Sequence, residues 1–320
     1  MRLSVAVCTF NRSESLQEML QSLACADPVP QIGWEVLVVD NNSTDDTAEM
    51  TRKFAETASF ELKYVLEKRQ GLSHARNAAV GCARGEIISF LDDDVIVTKT
   101  WLSRLNQAFS QYDAACVGGK VLVSSKIARP RWWRKEYDRV LGECDRGDKL
   151  LENDSSKPGE LIGIGANLSF RASVFEKYGR FHPELGRIAG KLIGGEETEF
   201  VDRLLKNNEK GIYDPELLVY HAPSTGRLKP LYLMRWHYRG GEFDARREAE
   251  ATRDSNITTW FGIPRWLYRK VLGCVWRLFK AAVFLQEREA LHQLFMLCYQ
   301  LGFARETKAQ IKRESRGQKN

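Results

Sequence analysis

Three consecutive aspartates, Asp92, Asp93 and Asp94, close an apolar run at residues 87–91. A short run of this kind reads as a buried strand, so three like charges meet at a strand end. Adjacent carboxylates repel one another, and burying them without partners is costly. A divalent cation relieves that repulsion, and carboxylate oxygens are the ligands Mg²⁺ or Mn²⁺ prefers. Such cations usually arrive with a substrate's phosphates. A solvated acidic turn is the other reading of the same three residues.

The pattern around them selects a fold. Residues 3–10, 34–39, 62–66, 86–91 and 116–123 read as strands. Helices are expected from Ser13 to about Leu23, from Asp45 or Asp46 onward, over 72–83 and near 100–109. Strands alternating with helices give a mostly parallel, doubly wound α/β sheet. Ligands of such sheets bind at the carboxyl ends of the strands. Asn11 and Arg12, Asp40, the segment after Leu66 and Asp92–Asp94 all fall at those ends. Residues 124–160 break the rhythm and read as a long irregular insertion. Beyond it come strands at 163–170 and 217–220, the latter ending at His221. Helices are expected at 173–178, 196–207 and 228–255.

Composition narrows the class further. An apolar content of 43% with 28% charged residues describes a globular chain rather than a disordered one. The first ten residues lack the apolar core of a signal peptide, and no uninterrupted apolar run reaches ~18 residues, so neither a leader nor a spanning helix is expected. Seven cysteines are scattered without a C-x-x-C pair, which points to reduced thiols in a cytoplasm. Twelve Lys/Arg and four Asp/Glu fall in residues 261–320, so the positive charge is concentrated at the C-terminal part.

Five motifs then occur in order: Cys8-Thr9-Phe10-Asn11-Arg12, the stretch from Val39 to Asp45, Gly71 to Asn77, Phe90 to Asp94, and Gly195 to Phe200. Together they resemble the family-2 glycosyltransferases, which carry the GT-A nucleotide-sugar fold; the resemblance spans roughly residues 3–240. It implies an inverting transferase that uses a nucleotide-diphosphate sugar, UDP-sugar favoured, with Mn²⁺ or Mg²⁺. It also implies a nucleotide-binding half at 1–125, an acceptor-binding half at 126–240 and a helical, basic C-terminal extension at 241–320. Thr9, Asn11, Arg12, Asp40, Arg76 and Asp92 match the family's nucleotide contacts, and Asp94 with His221 its metal site. Gly165, Asn167 and Glu196 match the acceptor or donor-sugar side. Glu197 stands where relatives commonly place an aspartate as general base; the carboxylate is kept and its reach lengthened. Asp40 also fits an Asx cap of the turn after it, and Glu196 an acid that complements a helix dipole.

The implied acceptor is a saccharide or lipid-linked glycan of the cell envelope. In residues 266–285, Arg269, Lys270, Arg277 and Lys280 fall in an arc of about 100° at helical spacing, with Trp, Phe and Leu around the rest. That pattern suits a helix lying in a membrane interface, and hence a cytoplasmic protein held peripherally on the inner face of the membrane through residues 264–285. Trp132 and Trp133 stand among basic residues as a second candidate contact. A sugar-1-phosphate nucleotidyltransferase is disfavoured because the turn after the first strand has no glycine. A non-catalytic nucleotide-sugar-binding protein of the same fold would tolerate loss of Asp94 and Glu197. Nucleic acid is not expected as a partner, because the bulk of the chain is not basic.

Overall fold

A computed structural model describes residues 2–29, 32–153, 162–186, 194–251, 259–260 and 263–317. The elements run β1 (Leu3–Thr9), α1 (Ser13–Ala24), β2 (Trp34–Asp40), α2 (Thr47–Thr57), β3 (Glu61–Leu66), α3 (Leu72–Cys82), β4 (Ile87–Asp92), β5 (Val95–Val97), α4 (Trp101–Gln111) and β6 (Cys116–Val123). There follow β7 (Leu151–Glu152), β8 (Asn167–Arg171), α5 (Ala172–Tyr178), α6 (Glu196–Lys206), β9 (Gly211–His221) and α7 (Pro230–Ala251). The C-terminal part adds the short pair β10 (Thr259–Trp260) and β11 (Ile263–Pro264), then α8 (Arg265–Val283) and α9 (Glu287–Gly317).

Two compact units emerge: Met1–Ile127 with Leu141–Pro223, and Ala128–Val140 with Ser224–Asn320. Residues 128–140 and 224–240, which the sequence groups with an acceptor-binding half, therefore lie in the second unit.

The first unit is built on one sheet ordered β3-β2-β1-β4-β8-β6-β9-β5, with β7 paired to β9. Strands β1 to β4 are parallel, as are β6 and β9. Strand β8 runs antiparallel between β4 and β6, with Leu91 opposite Asn167. Alternation along each strand feeds two core layers. Leu3, Val5, Val7, Ile87 and Leu91 face Leu16, Leu20, Trp101 and Leu105 of α1 and α4. Ala6, Ile88 and Phe90 face Ala75, Ala79, Phe175 and Phe200 of α3, α5 and α6. In that second layer the small Ala75 and Ala79 let α3 lie close to the sheet.

The helix starts differ in detail from sequence expectation. Ser13 does not cap α1; its amide donates to Asp45 Oδ2 at 3.1 Å, and Asp45 Oδ1 takes the Thr47 hydroxyl at 2.5 Å. The strand expected at 163–170 begins only at Asn167. Strand β9 is much longer than expected because it pairs with three neighbours, β6, β5 and β7.

In the second unit, Trp133 is buried and donates from Nε1 to Asp138 at 2.8 Å, while Trp132 packs edge-on against Phe295. These rings form a core with Tyr137 and His237. Trp133 is thus a core residue and Trp132 packs on that core, which corrects their reading as a membrane contact.

Asn167 belongs to the frame as well. It is fully buried, accepts from Trp101 Nε1 at 3.1 Å and donates to the Leu217 carbonyl at 2.7 Å. Asn167→Ala would leave both partners buried and unpaired, and is expected to cost about 3 kcal/mol in urea denaturation, the sum of a few unmade hydrogen bonds.

Candidate active site

The site forms where β1, β2, β4 and β9 end together. In register, Thr9 pairs with Asp40, and Cys8 with Asp92. His221 at the end of β9 pairs with Val95, one residue past the acid row. Donor atoms of Asp92, Asp94 and His221 all lie within 4.8 Å of one another.

His221 is buried. Its Nδ1 lies 2.5 Å from the Leu141 carbonyl and its Nε2 2.8 Å from Asp94 Oδ1. A carbonyl accepts only, so Nδ1 carries a proton and Nε2 is the nitrogen turned toward Asp94. An imidazole oriented in this way by a backbone carbonyl is the usual support of a metal-binding histidine. Gly142, at φ +78°, packs under the ring; a Cβ there would sit 2.7 Å from His221 Cε1. Two carboxylates and one imidazole, with the imidazole and Asp94 shielded from solvent, suit Mn²⁺ and also Mg²⁺.

Arg12 is drawn to the same acids. Its Nη1 donates to Asp93 Oδ1 at 2.9 Å and to Asp94 Oδ2 at 2.7 Å. Thr9 donates its hydroxyl to Asp93 Oδ2 at 2.8 Å. Burial holds the Asp93 carboxyl up at about 6, with Asp94 adding to the rise and Arg12 opposing it. Asp93 is thus the structural acid of the row.

The loops that follow β1, β2 and β3 are locked to one another. Asp40 caps the following turn, with Oδ1 accepting from the Ser43 amide at 2.8 Å, and Oδ2 accepts from Tyr64 at 2.7 Å. The Asx cap is therefore present. Asn11, at φ +52°, accepts from the Thr44 amide at 2.7 Å. Sequence reading missed Asn41. Its Nδ2 donates to the Arg69 carbonyl at 2.7 Å and its Oδ1 accepts from the Gly71 amide at 2.8 Å, tying the end of β2 to the start of α3. An amide side chain directly after a strand-end acid was the available signal.

Arg76 of α3 joins the acid row to the start of α6. It is buried, pairs with Glu196, and lies 3.7 Å from Glu197 and 3.9 Å from Asp92. Its guanidinium carbon is 5.8 Å from the ring centres of both Phe90 and Phe181. Burial pushes the Glu196 carboxyl up to about 8, and the Glu197 charge adds to this against Arg76. Glu197 is the more exposed of the two, with 21% of its side chain open against 2% for Glu196. An incoming group therefore meets Glu197 first.

Gly165 is where the close approach expected of a small residue occurs, but the neighbour is Arg76. A Cβ on Gly165 would lie 2.0 Å from Arg76 Nη2. Asn167 sends no side-chain atom to the site, since its bonds run to Trp101 of α4 and to the carbonyls of Lys120 and Leu217.

The family model for glycosyl transferase family 2 matches residues 4–179. The chain belongs to that family. It is a glycosyltransferase, and its sugar comes from a nucleotide-sugar donor. The succinoglycan biosynthesis protein ExoM of Rhizobium meliloti is 27% identical over 252 residues, covering 78% of this chain and 76% of that protein. A glucosyl-dolichyl phosphate glucuronosyltransferase of Haloferax volcanii is 24% identical, covering 69% of each. Among solved structures, the Pyrobaculum calidifontis mannosyltransferase PcManGT in complex with GDP-Man and Mn²⁺ superposes with a TM-score of 0.56 at 21% identity, over 97% of this chain and 75% of that one. S. aureus TarS 1–349 in complex with UDP-GlcNAc gives 0.52 at 17% identity, over 95% and 90%. These likenesses confirm the GT-A type of fold.

Gly165→Ala is expected to displace Arg76 and lower transfer by about 10²-fold, the loss typical of a misplacement near 1 Å; steady-state transfer measured beside a melting curve checks it. Glu196 carries an ordinary 4.5 when unfolded and about 8 when folded. Between those values the folded state holds the proton more tightly, so stability falls as pH rises across that window. Urea titrations of Glu196→Gln are expected to show a shallower fall there than the wild type.

Proposed function

We propose that this chain is an inverting transferase that moves one sugar from a nucleotide-diphosphate donor to a hydroxyl of a saccharide or lipid-linked acceptor. The carrying observation is that Asp92, Asp94 and His221 converge within 4.8 Å while Arg76 joins Glu197 to the same edge. Asp92, Asp94 and His221 would hold Mn²⁺ or Mg²⁺, which when bound supplies neutralising charge for a leaving diphosphate.

The chain's own residues do the rest. Glu197 takes the proton from the acceptor hydroxyl as that oxygen attacks the anomeric carbon from the face opposite the diphosphate. Arg76 sets the position of Glu197 and carries positive charge beside Asp92. Glu196, buried and paired to Arg76, is a positioning group. With Asp92 assigned to the metal and Glu196 buried against Arg76, Glu197 is left as the base, and a single displacement with inversion fits better than a two-step retaining scheme. Thr9, Asn11, Arg12, Asp40 and Asp92 line the nucleotide edge, and Arg12 can exchange its carboxylate partners for phosphate oxygens.

Support for the metal and donor comes from neighbours solved with GDP-Man and Mn²⁺, with UDP-GlcNAc, and with UDP, GalNAc and Mn²⁺. Support for the acceptor class comes from relatives named for succinoglycan biosynthesis, a dolichyl phosphate substrate and poly(ribitol-phosphate). A lipid-linked or envelope acceptor would place the enzyme at the cytoplasmic face of a membrane. Family membership removes the nucleotidyltransferase alternative.

Thermal-shift measurements with UDP- and GDP-sugars, each with and without Mn²⁺, are expected to show metal-dependent stabilisation by one donor class. Glu197→Gln should keep that stabilisation and lose at least ~10²-fold in transfer, the lower range for a general base. Undiminished transfer by this variant would move the base elsewhere.

A further inference from the structure

Helix α8 faces the wrong way for an ordinary packed helix. Its buried stripe is Leu267, Cys274 and Ala281, spaced by seven and mostly small. Its bulky apolar side chains lie on the other side. Leu272, Val275, Trp276, Phe279 and Val283 are exposed, Trp276 by 57% and Phe279 by 60%. The patch continues past the helix end into Phe284 and Leu285. Leu285 adopts φ +52°, donates its amide to the Ala282 carbonyl at 3.2 Å, and is 91% exposed. A left-handed leucine is disfavoured without help from its surroundings. Here it ends the helix with an apolar tip in solvent.

Within α8 the charge has one sign, with Glu287 the first acid beyond the tip. Arg265, Arg269, Lys270, Arg277 and Lys280 all lie within α8, and the helix contains no acidic residue. Three cations sit against tryptophan rings. Lys280 Nζ is 5.1 Å from the Trp276 centroid, Lys270 Nζ 4.5 Å from Trp266, and Arg265 Cζ 4.6 Å from Trp260, itself exposed. Trp276 in turn stacks on Phe279 at 6.0 Å. Indole rings with cations beside them suit the level of lipid headgroups, where the ring is half immersed and the cation reaches phosphate. Among the described residues, no helix is long and apolar enough to cross a membrane.

We infer that the outward face of α8, with its Phe284-Leu285 tip, docks on a bilayer of anionic phospholipid. The apolar residues enter the headgroup–acyl boundary, and Arg265, Arg269 and Lys280 pair with lipid phosphates. This deepens the acceptor reading by naming the surface on which a lipid-linked acceptor is met. It rests on exposure and charge alone.

The test is flotation of the full chain with vesicles of phosphatidylcholine, alone or mixed with phosphatidylglycerol. Wild type is expected to float with the mixed vesicles, weakly with phosphatidylcholine, and less at high salt. Trp276→Glu with Phe279→Glu should lower binding at least ~10-fold, since it places two charges in the apolar contact. Arg269→Glu with Lys280→Glu should remove the preference for the anionic vesicles. Circular dichroism melting confirms that each variant folds. A second readout needs no charge reversal: lipids brominated on the acyl chain should quench wild-type tryptophan fluorescence, and less so in Trp276→Phe. Flotation unaffected by the Trp276/Phe279 pair would overturn the inference. So would a wild type that ignores vesicles but forms dimers that the pair dissociates, because the face would then belong to a second copy. The readout involves neither donor nor metal, so failure here leaves the transferase chemistry standing, and loss of that chemistry leaves the docking result intact.

Discussion

Five carboxylates crowd one edge of the sheet, and the cations that hold them there set the architecture of the site. Asp92, Asp93 and Asp94 end β4, while Glu196 and Glu197 open α6. Out of water such a group is tolerable only with opposite charge in contact. Arg12 grips Asp93 and Asp94, and the imidazole of His221 lies against Asp94 from the other side. Arg76, buried between two phenylalanine rings, serves Asp92, Glu196 and Glu197 at once. Removing Arg76 would leave the strand end and the helix start without the charge that joins them.

Backbone topology explains why these groups meet. Parallel β1, β2 and β4 bring their carboxyl ends to one edge, and β9 arrives at the same edge beside β6 and β5. Antiparallel β8 enters the sheet there, so the segment just before it, with Gly165, lies against Arg76. Asn41 then fixes the loop that leads into α3, and so the place from which Arg76 reaches inward.

Much of this was legible in the sequence because it is local. The strand runs before Thr9, Asp40 and Asp92, the glycine at the start of α3 and the acidic start of α6 each announce themselves within a few residues. What was not legible depends on partners distant in the chain. The length of β9 comes from pairing with β6, β5 and β7, which no short window reveals. Asn167 carries the polarity of a site residue, yet its bonds run to Trp101 and Leu217. The periodicity of α8 marked two faces but not which one turns inward, since large apolar residues ordinarily point to a core. The long helix α9 falls in the extension expected to be helical, but its bounds were not legible. Its charged C-terminal half has no clear apolar stripe, and it stands through packing on α7 and α8.

The contact between His221 Nε2 and Asp94 joins residues 127 positions apart. Contacts of such separation are slow to close during folding. The edge formed by β1, β2 and β4, complete by Asp94, can assemble from the first part of the chain, whereas His221 joins it only when β9 has docked. If Asp92, Asp94 and His221 hold an ion as proposed, its affinity reports on the docking of β9, and a growing chain gains it only after that strand is in place.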